Sequence, residues 1–288
     1  MLDILMSTLR LAIPLIFAAY GGMLSERSGI ANIGLEAYLL ISAFTAAAVT
    51  HLSGSLIIGC AAAILVTAFL GALFASICIW GRGDQIVIGT AMNMMAAGLI
   101  PIITKTLFDV TGSTPSLPIE LRLSHPLVFL SVAILFMIGL FYMFKHMRHG
   151  LRIVAAGHNP LALSTQGVSF NLLRLRAVIE GAAIASIGGI YLSLCMSSGY
   201  IRNMSAGRGF LALAALIFGS WKPIPTFLAC LFFGFTDSIQ IRMQGVTWDG
   251  REIPNQFIQI LPFVATLLLL IIFSGRMKAP RAINQDIR

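Results

Sequence analysis

Charged side chains are scarce in this sequence. Only 10% of its 288 residues are Asp, Glu, Lys or Arg, whereas 58% are hydrophobic. A soluble domain carries about 25% charged residues, so this chain has too little charge to cover a surface that faces water. The composition therefore excludes a soluble globular protein. It predicts an all-α, polytopic transmembrane helix bundle, because open strands cannot pair their backbone groups in lipid.

Motifs that bind nucleotides or catalyse hydrolysis are also missing. The sequence has no G-x-x-x-x-G-K-[ST] loop for ATP, no H-E-x-x-H and no G-x-S-x-G. Its 4 cysteines lie in apolar surroundings without C-x-x-C spacing, and its 5 histidines are scattered. We therefore expect no disulfide, no metal and no cofactor in this chain, and no enzymatic activity of its own.

The net charge of +8 does not point to nucleic acid, because the basic residues do not cluster with aromatic residues on a soluble face. Lys and Arg are instead concentrated in the segment that begins at Lys145 and in the tail after Gly275. Basic loops of this kind remain in the cytoplasm. The loop 145–171 and the tail 276–288 are therefore predicted to be cytoplasmic, and the N-terminus is predicted to lie outside.

Long apolar runs are what the sequence has in abundance. A helix needs about 20 apolar residues to cross the hydrocarbon core, and such runs predict about nine spans (range about 8–10) in one transmembrane domain, residues 1–275. The predicted spans are 4–23, 36–51, 55–80, 86–105, 126–144, 172–195, 208–220, 223–243 and 256–274. The span 208–220 is short enough to be re-entrant or part of a broken helix.

Three polar stretches interrupt these apolar runs, and the first is SERSGIANIGLEA, residues 25–37. Charges at membrane depth are costly unless they are paired or line a water-filled cavity. Glu26 and Arg27 are most simply a pair at the level of the lipid headgroups, or an orientation signal. Asn32 and Glu36 fit either the capping of a helix start or a discontinuous helix that lines a translocation path.

The second stretch, GDQIVIGTAMNMMAAGLIP, places Asn93 in the middle of a span among small residues and methionines. A single Asn in this position more often joins two helices by hydrogen bonds than contacts a ligand. Both interpretations stay open from the sequence.

The third stretch is AAGHNPLALSTQG, within the basic loop. Apolar residues recur in it, Asn159-Pro160 is a helix start and Gly167 a helix end. This pattern predicts a compact amphipathic docking element. The alternative is an interfacial helix that lies on lipid.

A weak internal similarity links two of the predicted spans. NIGLEAYLLISAF opens the second and GRGFLALAALIFG forms the seventh, each with glycine and a charge before a helix rich in small residues. Five spans apart, they would run in opposite directions, as an inverted repeat requires. Chance similarity between apolar segments explains the match equally well.

Taken in order, these motifs resemble the permease subunits of bacterial ABC importers for branched-chain amino acids, ribose and nucleosides, and most of all the nucleoside (simple-sugar) branch. The matching segments are SERSGIANIGLEA, GTAMNMMAAGL, GHNPLA and AGRGFLALAALIFGSWKPI. Each motif is weak alone, but their order and spacing are specific and cover residues 7–275. One departure is Ala37, where the family usually has glycine.

The resemblance implies the passive membrane half of an ATP-driven importer in the bacterial inner membrane. A second, probably different permease subunit, a separate ABC ATPase that holds ATP and Mg, and an external binding protein or lipoprotein would complete the complex. Residues of the third stretch would couple to the ATPase: Gly157, Asn159, Pro160, Ala162 and Gly167. The translocation path would include or border Asn32, Glu36, Asn93 and Arg208.

The resemblance favours nucleosides as the substrate, with simple sugars next and branched-chain amino acids last. The alternative of a different class is a stand-alone secondary transporter. Such a carrier needs its own ion-coupling carboxylates, for which Glu180 and Asp237 are the candidates. Arg176 lies four residues before Glu180, so a local i, i+4 pair explains that acid.

Overall fold

Ten α-helices form a bundle in the computed structural model, which describes residues 2–123, 125–244, 247–248, 251–252, 260, 264–267, 271 and 279–280. The helices are α1 (Leu2–Arg27), α2 (Leu35–Ser53), α3 (Leu56–Ile79), α4 (Gln85–Phe108), α5 (Pro126–His146), α6 (Arg148–His158), α7 (Pro160–Ser164), α8 (Phe170–Tyr191), α9 (Arg208–Phe218) and α10 (Pro223–Met243). A π-helical turn, Leu192–Met196, extends α8.

Only short non-helical elements accompany this bundle in the described part of the chain. A 3-10 turn spans Ile119–Leu121, and two antiparallel strands of two residues each, β1 (Thr247–Trp248) and β2 (Arg251–Glu252), form a minimal hairpin. The all-helical class predicted from the sequence is confirmed by this architecture.

Local sequence signals determine where several helices begin and end. The Asp84 carboxylate caps α4, accepting from the N–H groups of Ile86 (2.8 Å) and Val87 (3.0 Å). Helices α5, α7 and α10 each start with proline, which is preorganised for the first helical position. Helix α2 ends at Gly54, whose φ of 64° is the left-handed conformation common after a helix.

Seven helices in the described residues are long and apolar enough to cross a membrane, namely α1, α2, α3, α4, α5, α8 with its π-helical turn, and α10. The chain is therefore a multi-pass membrane protein. The predicted span 208–220 corresponds to α9, whose eleven residues extend about 16 Å, roughly half of the hydrocarbon core. The predicted span 256–274 lies largely outside the described residues, so the total of about nine spans stays a prediction.

The bundle has a buried centre and an apolar periphery. About two thirds or more of the spanning residues of α1, α2 and α8 are buried, compared with a third or less for α3, α4, α5 and α10. Large side chains of the central helices fill the interior, among them Phe17, Tyr20, Tyr38 and Tyr191. The outer helices expose Leu, Ile and Phe, as helices in contact with lipid do.

Candidate functional site

The chain leaves helical geometry between α1 and α2, and residues 28–34 form the first helix break. Its turns are closed by the N–H of Gly29, which donates to Glu26 O, and the N–H of Ile30, which donates to Ser25 O. Asn32 is fully buried there. Its Nδ2 donates to Ser25 Oγ (3.1 Å), and its Oδ1 accepts from the N–H of Gly34 (3.2 Å). The Asn32 side chain therefore forms hydrogen bonds with the end of α1 and with the backbone of the break.

Helix α4 supplies the remaining partners of this break. Gln85 Oε1 accepts from the N–H of Ala31 (2.6 Å). Two turns later, Asn93 Nδ2 donates to Ile33 O (2.9 Å), and Asn93 Oδ1 accepts from the N–H of Ala37 (2.9 Å). Non-helical backbone at membrane depth is tolerated only where protein groups or water satisfy it. Asn93 meets that need, and it joins α4 to the start of α2.

The second helix break, residues 197–207, follows the π-helical turn after α8. The segment around residues 112–117 pairs with it through backbone hydrogen bonds from Thr114 N to Tyr200 O (3.0 Å) and from Leu117 N to Ser198 O (2.7 Å). Thr114 Oγ1 also accepts from the N–H of Tyr200 (2.9 Å). The break then leads into the short helix α9.

Glu36 connects the two breaks. It lies in the first turn of α2, and its carboxylate accepts hydrogen bonds from Ser205 Oγ and from the backbone N–H groups of Gly207 (2.9 Å) and Gly209 (2.7 Å) at the start of α9. Each helix N-terminus carries a partial positive charge, so one carboxylate between two N-termini stabilises both. The approach is so close that a Cβ at residue 209 would overlap the backbone of Glu36.

Arg208 follows directly on this junction. Its Nη1 donates to Met204 O (3.0 Å), while its Nε is buried without a hydrogen-bond partner among the described residues. Asp237 of α10 lies near enough to attract it electrostatically. A cation with a spare donor beside a helix break is a suitable group to meet a polar solute.

The four path residues predicted from the sequence therefore lie together around the start of α2. Their contact with a solute remains a prediction. Two partners were missed by sequence reasoning: Gln85, which precedes Asn93 by eight residues on the same face of α4, and Ser205. The periodicity of α4 would have found Gln85, but nothing local indicates Ser205, which is 169 residues from Glu36.

Two ion pairs expected from the sequence are wrong. Glu26 is buried and accepts a hydrogen bond from Trp221 Nε1, while the guanidinium of Arg27 lies over the Phe144 ring, 4.2 Å from its centroid. Glu180 pairs with His149 of α6 at 3.0 Å instead of with Arg176. In both cases the acid bonds to a residue that is distant in the sequence, Trp221 between α9 and α10 or His149 of α6, and not to the basic residue near it in the chain.

The segment 157–167, called the coupling element below, is a compact helical unit. Asn159 Oδ1 accepts from the N–H of Ala162 (3.4 Å), Pro160 opens α7, and the N–H of Gly167 donates to Ser164 O (3.0 Å). The segment therefore has the start and end signals predicted for it, and its first two residues are the last two of α6.

This coupling element has an inner and an outer face. Pro160 and Leu163 are buried, whereas Ala162 is exposed and Leu161 is 60% exposed. Gly157 lies so close to Arg27 that a Cβ would overlap the carbonyl oxygen of Arg27. The outer face thus exposes apolar side chains, while the inner face rests on the end of α1.

A second contact joins this end of the bundle to the first break. Arg174, in the first turns of α8, is buried, and its Nε donates to Ser28 O (3.0 Å). Its guanidinium also lies 5.5 Å from the centroid of the Phe170 ring. The coupling element and the start of α8 thus contact residues 27 and 28, where α1 ends and the break that carries Asn32 begins.

Comparison with known proteins gives consistent results. The family model described as the permease component of branched-chain amino acid transport systems matches residues 4–273. The guanosine ABC transporter permease protein NupQ of Bacillus subtilis is 34% identical over 300 residues, covering 96% of this chain and 93% of the relative. The nucleoside ABC transporter permease protein NupC of Lactococcus lactis is 32% identical over 305 residues, covering 93% and 91%.

A third relative carries a different name. The putative glucose ABC transporter permease protein TsgC13 of Haloferax volcanii is 31% identical over 258 residues, covering 85% of this chain and 78% of the relative. No solved structure matches. With a family match over almost its whole length and two breaks joined at the centre of a multi-pass bundle, the chain belongs to the family of permease components of branched-chain amino acid transport systems.

Proposed function

We propose that this chain is the membrane-spanning permease subunit of an ATP-driven ABC importer for nucleosides. The observation that carries the proposal is the similarity, over more than nine tenths of the chain, to relatives named as guanosine and nucleoside ABC transporter permeases. The chain contributes the translocation path, and ATP is bound and hydrolysed by a separate ABC ATPase. No cofactor or metal takes part in its own work.

The chemistry of the central junction suits such a cargo. A nucleoside is uncharged and offers hydroxyl and base-edge hydrogen-bonding groups, so its path needs amides, exposed backbone and an adaptable cation more than fixed countercharges. Asn32, Asn93 and Arg208 supply groups of this kind around the start of α2, and the carboxylate of Glu36 holds the N-terminus of α9 beside them. Simple sugars share the hydroxyl chemistry and are the second candidate, supported by the relative named as a putative glucose permease.

The complete importer contains further subunits. A second permease chain, different from this one, forms the other side of the path, and a binding protein or lipoprotein delivers the cargo from outside. The bundle lies in the bacterial inner membrane, with the loop 145–171 and the tail 276–288 in the cytoplasm, as their basic residues favour. In this orientation the predicted span 256–274 returns the chain to the cytoplasm before the tail.

The meeting of the two breaks supports an inverted repeat in this family member. Helices α2 and α9 both start at a break, and their N-termini share one carboxylate. Broken helices in corresponding positions of two halves are typical of transporters with inverted repeats. The first half would then centre on α2 and the second on α9.

The contacts also suggest how the ATPase acts on the path. The exposed face of α7 docks on the ATPase, and its movement reaches Arg27 through the close packing of Gly157. The hydrogen bond from Arg174 to Ser28 moves the same segment. Because the first break starts at residue 28 and leads to Glu36, a shift there changes the junction with α9. The path thus opens through a chain of rigid contacts.

The secondary-transporter alternative has little support from the two candidate acids. Glu180 is partly exposed and pairs with His149, so it is not a membrane-buried carboxylate awaiting an ion. Asp237 faces the cation Arg208. Neither acid is placed as an independent ion-coupling group.

Uptake measurements test the proposal. Cells that carry the whole operon should accumulate radiolabelled inosine, adenosine and uridine, and unlabelled nucleosides should compete while ribose and glucose should not. Uptake should cease when the ATPase subunit is inactivated. Entry of ribose or glucose with no nucleoside uptake would overturn the nucleoside assignment, and nucleoside uptake that persists without the ATPase would overturn the importer assignment.

A further inference from the structure

Three cations surround a cavity at the end of the bundle that carries the coupling element. The cavity has a volume of about 300 Å³ and lies between the end of α1, the end of α5 and the start of α10. Its lining consists of Arg27, Lys145 and Lys222 together with the apolar side chains of Phe141, Phe144, Pro223, Ile224 and Pro225. No acidic side chain of the described residues lines it.

The cations of this cavity have aromatic neighbours but no acidic partner among the described residues. Arg27 lies over the Phe144 ring at 4.2 Å, and Lys145 Nζ lies 5.7 Å from the centroid of the Phe141 ring. Neither forms a salt bridge in the part of the chain that the structure describes, where the one ion pair is His149 with Glu180. Glu26, the nearest acid in sequence, is buried and bound to Trp221 instead.

Helix ends account for two of these cations but not for the third. Arg27 and Lys145 lie in the last turns of α1 and α5, where a cation stabilises the negative end of a helix. Lys222, by contrast, is exposed at the N-terminal end of α10, where the helix end is already positive. Three positive groups and a positive helix end around one cavity create a local potential that favours an anion.

The apolar walls restrict the kind of anion. Phe141 and Ile224 are each 44% exposed, at the ends of helices that are apolar enough to cross a membrane. A ligand that satisfies both parts of the cavity has an anionic head and hydrocarbon tails. We propose that this cavity binds an anionic glycerophospholipid, with its phosphate among Arg27, Lys145 and Lys222 and its acyl chains along Phe141 and Ile224.

If this site is occupied, the transporter binds an anionic lipid whatever its cargo is. Basic pockets between spanning helices at the cytoplasmic surface bind anionic headgroups. Arg27, which lines the cavity, also touches Gly157 of the coupling element. A bound phosphate would hold the end of α1 at the point where the coupling element rests.

Tryptophan quenching by brominated lipids tests the proposal, because Trp221 is adjacent to Lys222. The full-length protein with Trp80→Phe and Trp248→Phe is reconstituted with phosphatidylglycerol or phosphatidylcholine whose acyl chains carry bromine. Trp221 fluorescence should be quenched at a several-fold lower mole fraction of the anionic lipid. In Lys145→Gln/Lys222→Gln protein this preference should disappear, since each basic residue contributes a factor of about five.

A matched variant, Arg148→Gln/Arg152→Gln, removes the same charge from two exposed residues at this end that do not line the cavity. It should keep the preference, and equal loss in both variants would refute a local site. Inorganic phosphate should not reverse the preference, whereas reversal would indicate a free-phosphate site. Loss of the preference when the ATPase is bound would assign the cavity to the partner protein. Equal quenching by both lipids in the protein that keeps Lys145 and Lys222 would also overturn the proposal.

Discussion

The first helix break and the coupling element have similar residues but opposite environments. Residues 28–34 and 157–167 both combine glycine, asparagine and aliphatic side chains. Asn32 in the break and Glu36 just after it are buried, and their side chains are hydrogen-bonded to backbone or neighbouring side chains. In the coupling element, Leu161 and Ala162 are exposed. The cost of an unpaired polar group at membrane depth explains the first pattern, and the proposed docking on the ATPase accounts for the second.

This difference changes how polar residues in the membrane should be interpreted. Asn93 bonds to the backbone of Ile33 and Ala37 through both atoms of its amide, so its first task is to support a broken helix. If Asn93 contributes to the path, it does so through the backbone that it positions as much as through its own amide. Substitutions in the break should therefore lower stability, whereas substitutions on the coupling element should affect only transport.

Glu36→Ala should have the largest effect on stability. It leaves Ser205 Oγ and the N–H groups of Gly207 and Gly209 without their acceptor, and each buried unsatisfied group costs about 1–3 kcal/mol. We expect a loss of about 3 kcal/mol or more, seen as a lower thermal midpoint and poor recovery of folded protein in detergent.

The matched substitution is Glu180→Ala. That residue is partly exposed, and its pair with His149 is worth at most about 1 kcal/mol. Equal thermal midpoints for the two variants would show that Glu36 does not hold α9. Glu36→Gln keeps one acceptor oxygen and should fall between them.

Asn93→Leu should have an intermediate effect. It removes the partners of Ile33 O and of the Ala37 N–H, at a cost of about 1–2 kcal/mol given the modest strength of hydrogen bonds between membrane helices. The thermal midpoint in detergent measures this loss. Nucleoside uptake, normalised to the amount of folded protein, should fall further because the start of α2 borders the path.

Thr90→Val on the same helix is the control for this substitution. Its hydroxyl is exposed and bonds only to carbonyl groups of its own helix, those of Ile86 and Val87. This change should leave both the midpoint and the uptake unaltered. An Asn93→Leu protein as stable as the Thr90→Val protein would refute the link between α4 and the first break.

Single cysteines should have the smallest effect on stability and report orientation. In a cysteine-free background, Ser164→Cys on the exposed coupling element and Asn284→Cys in the tail should remain unlabelled by an impermeant thiol reagent added to intact cells. Both should react after the cells are permeabilised. Labelling of either residue from outside would reverse the proposed orientation.

The sequence predicts the helices well where apolar runs are long. Residues 55–80 were expected to span the membrane, and α3 covers Leu56–Ile79. The Asn159-Pro160 start and the Gly167 end correctly predicted a compact helical unit. These features depend on residues that are neighbours in the chain, where composition and capping preferences act directly.

Long-range polar partners could not be predicted in the same way. Glu26 binds Trp221, 195 residues away, and Glu36 binds Gly207 and Gly209 of α9. Such contacts depend on which helices pack together, and a polar residue in an apolar run does not reveal its partner. The local pairs assumed for Glu26 and Glu180 were wrong for this reason. The short length of α9 was anticipated, but its meeting with α2 was not.

The coupling element provides the most direct measurement of the central claim. Ala162→Asp and its matched control Ala162→Ser are compared in the complete transporter, reconstituted in lipid vesicles with its ATPase and its binding protein. Because Ala162 is exposed, both variants should keep the thermal midpoint of the unaltered protein. The aspartate places a charge in the apolar contact with the ATPase, so ATP-dependent nucleoside uptake should fall at least tenfold, while the serine variant should transport normally. Normal uptake by the Ala162→Asp protein would contradict the account.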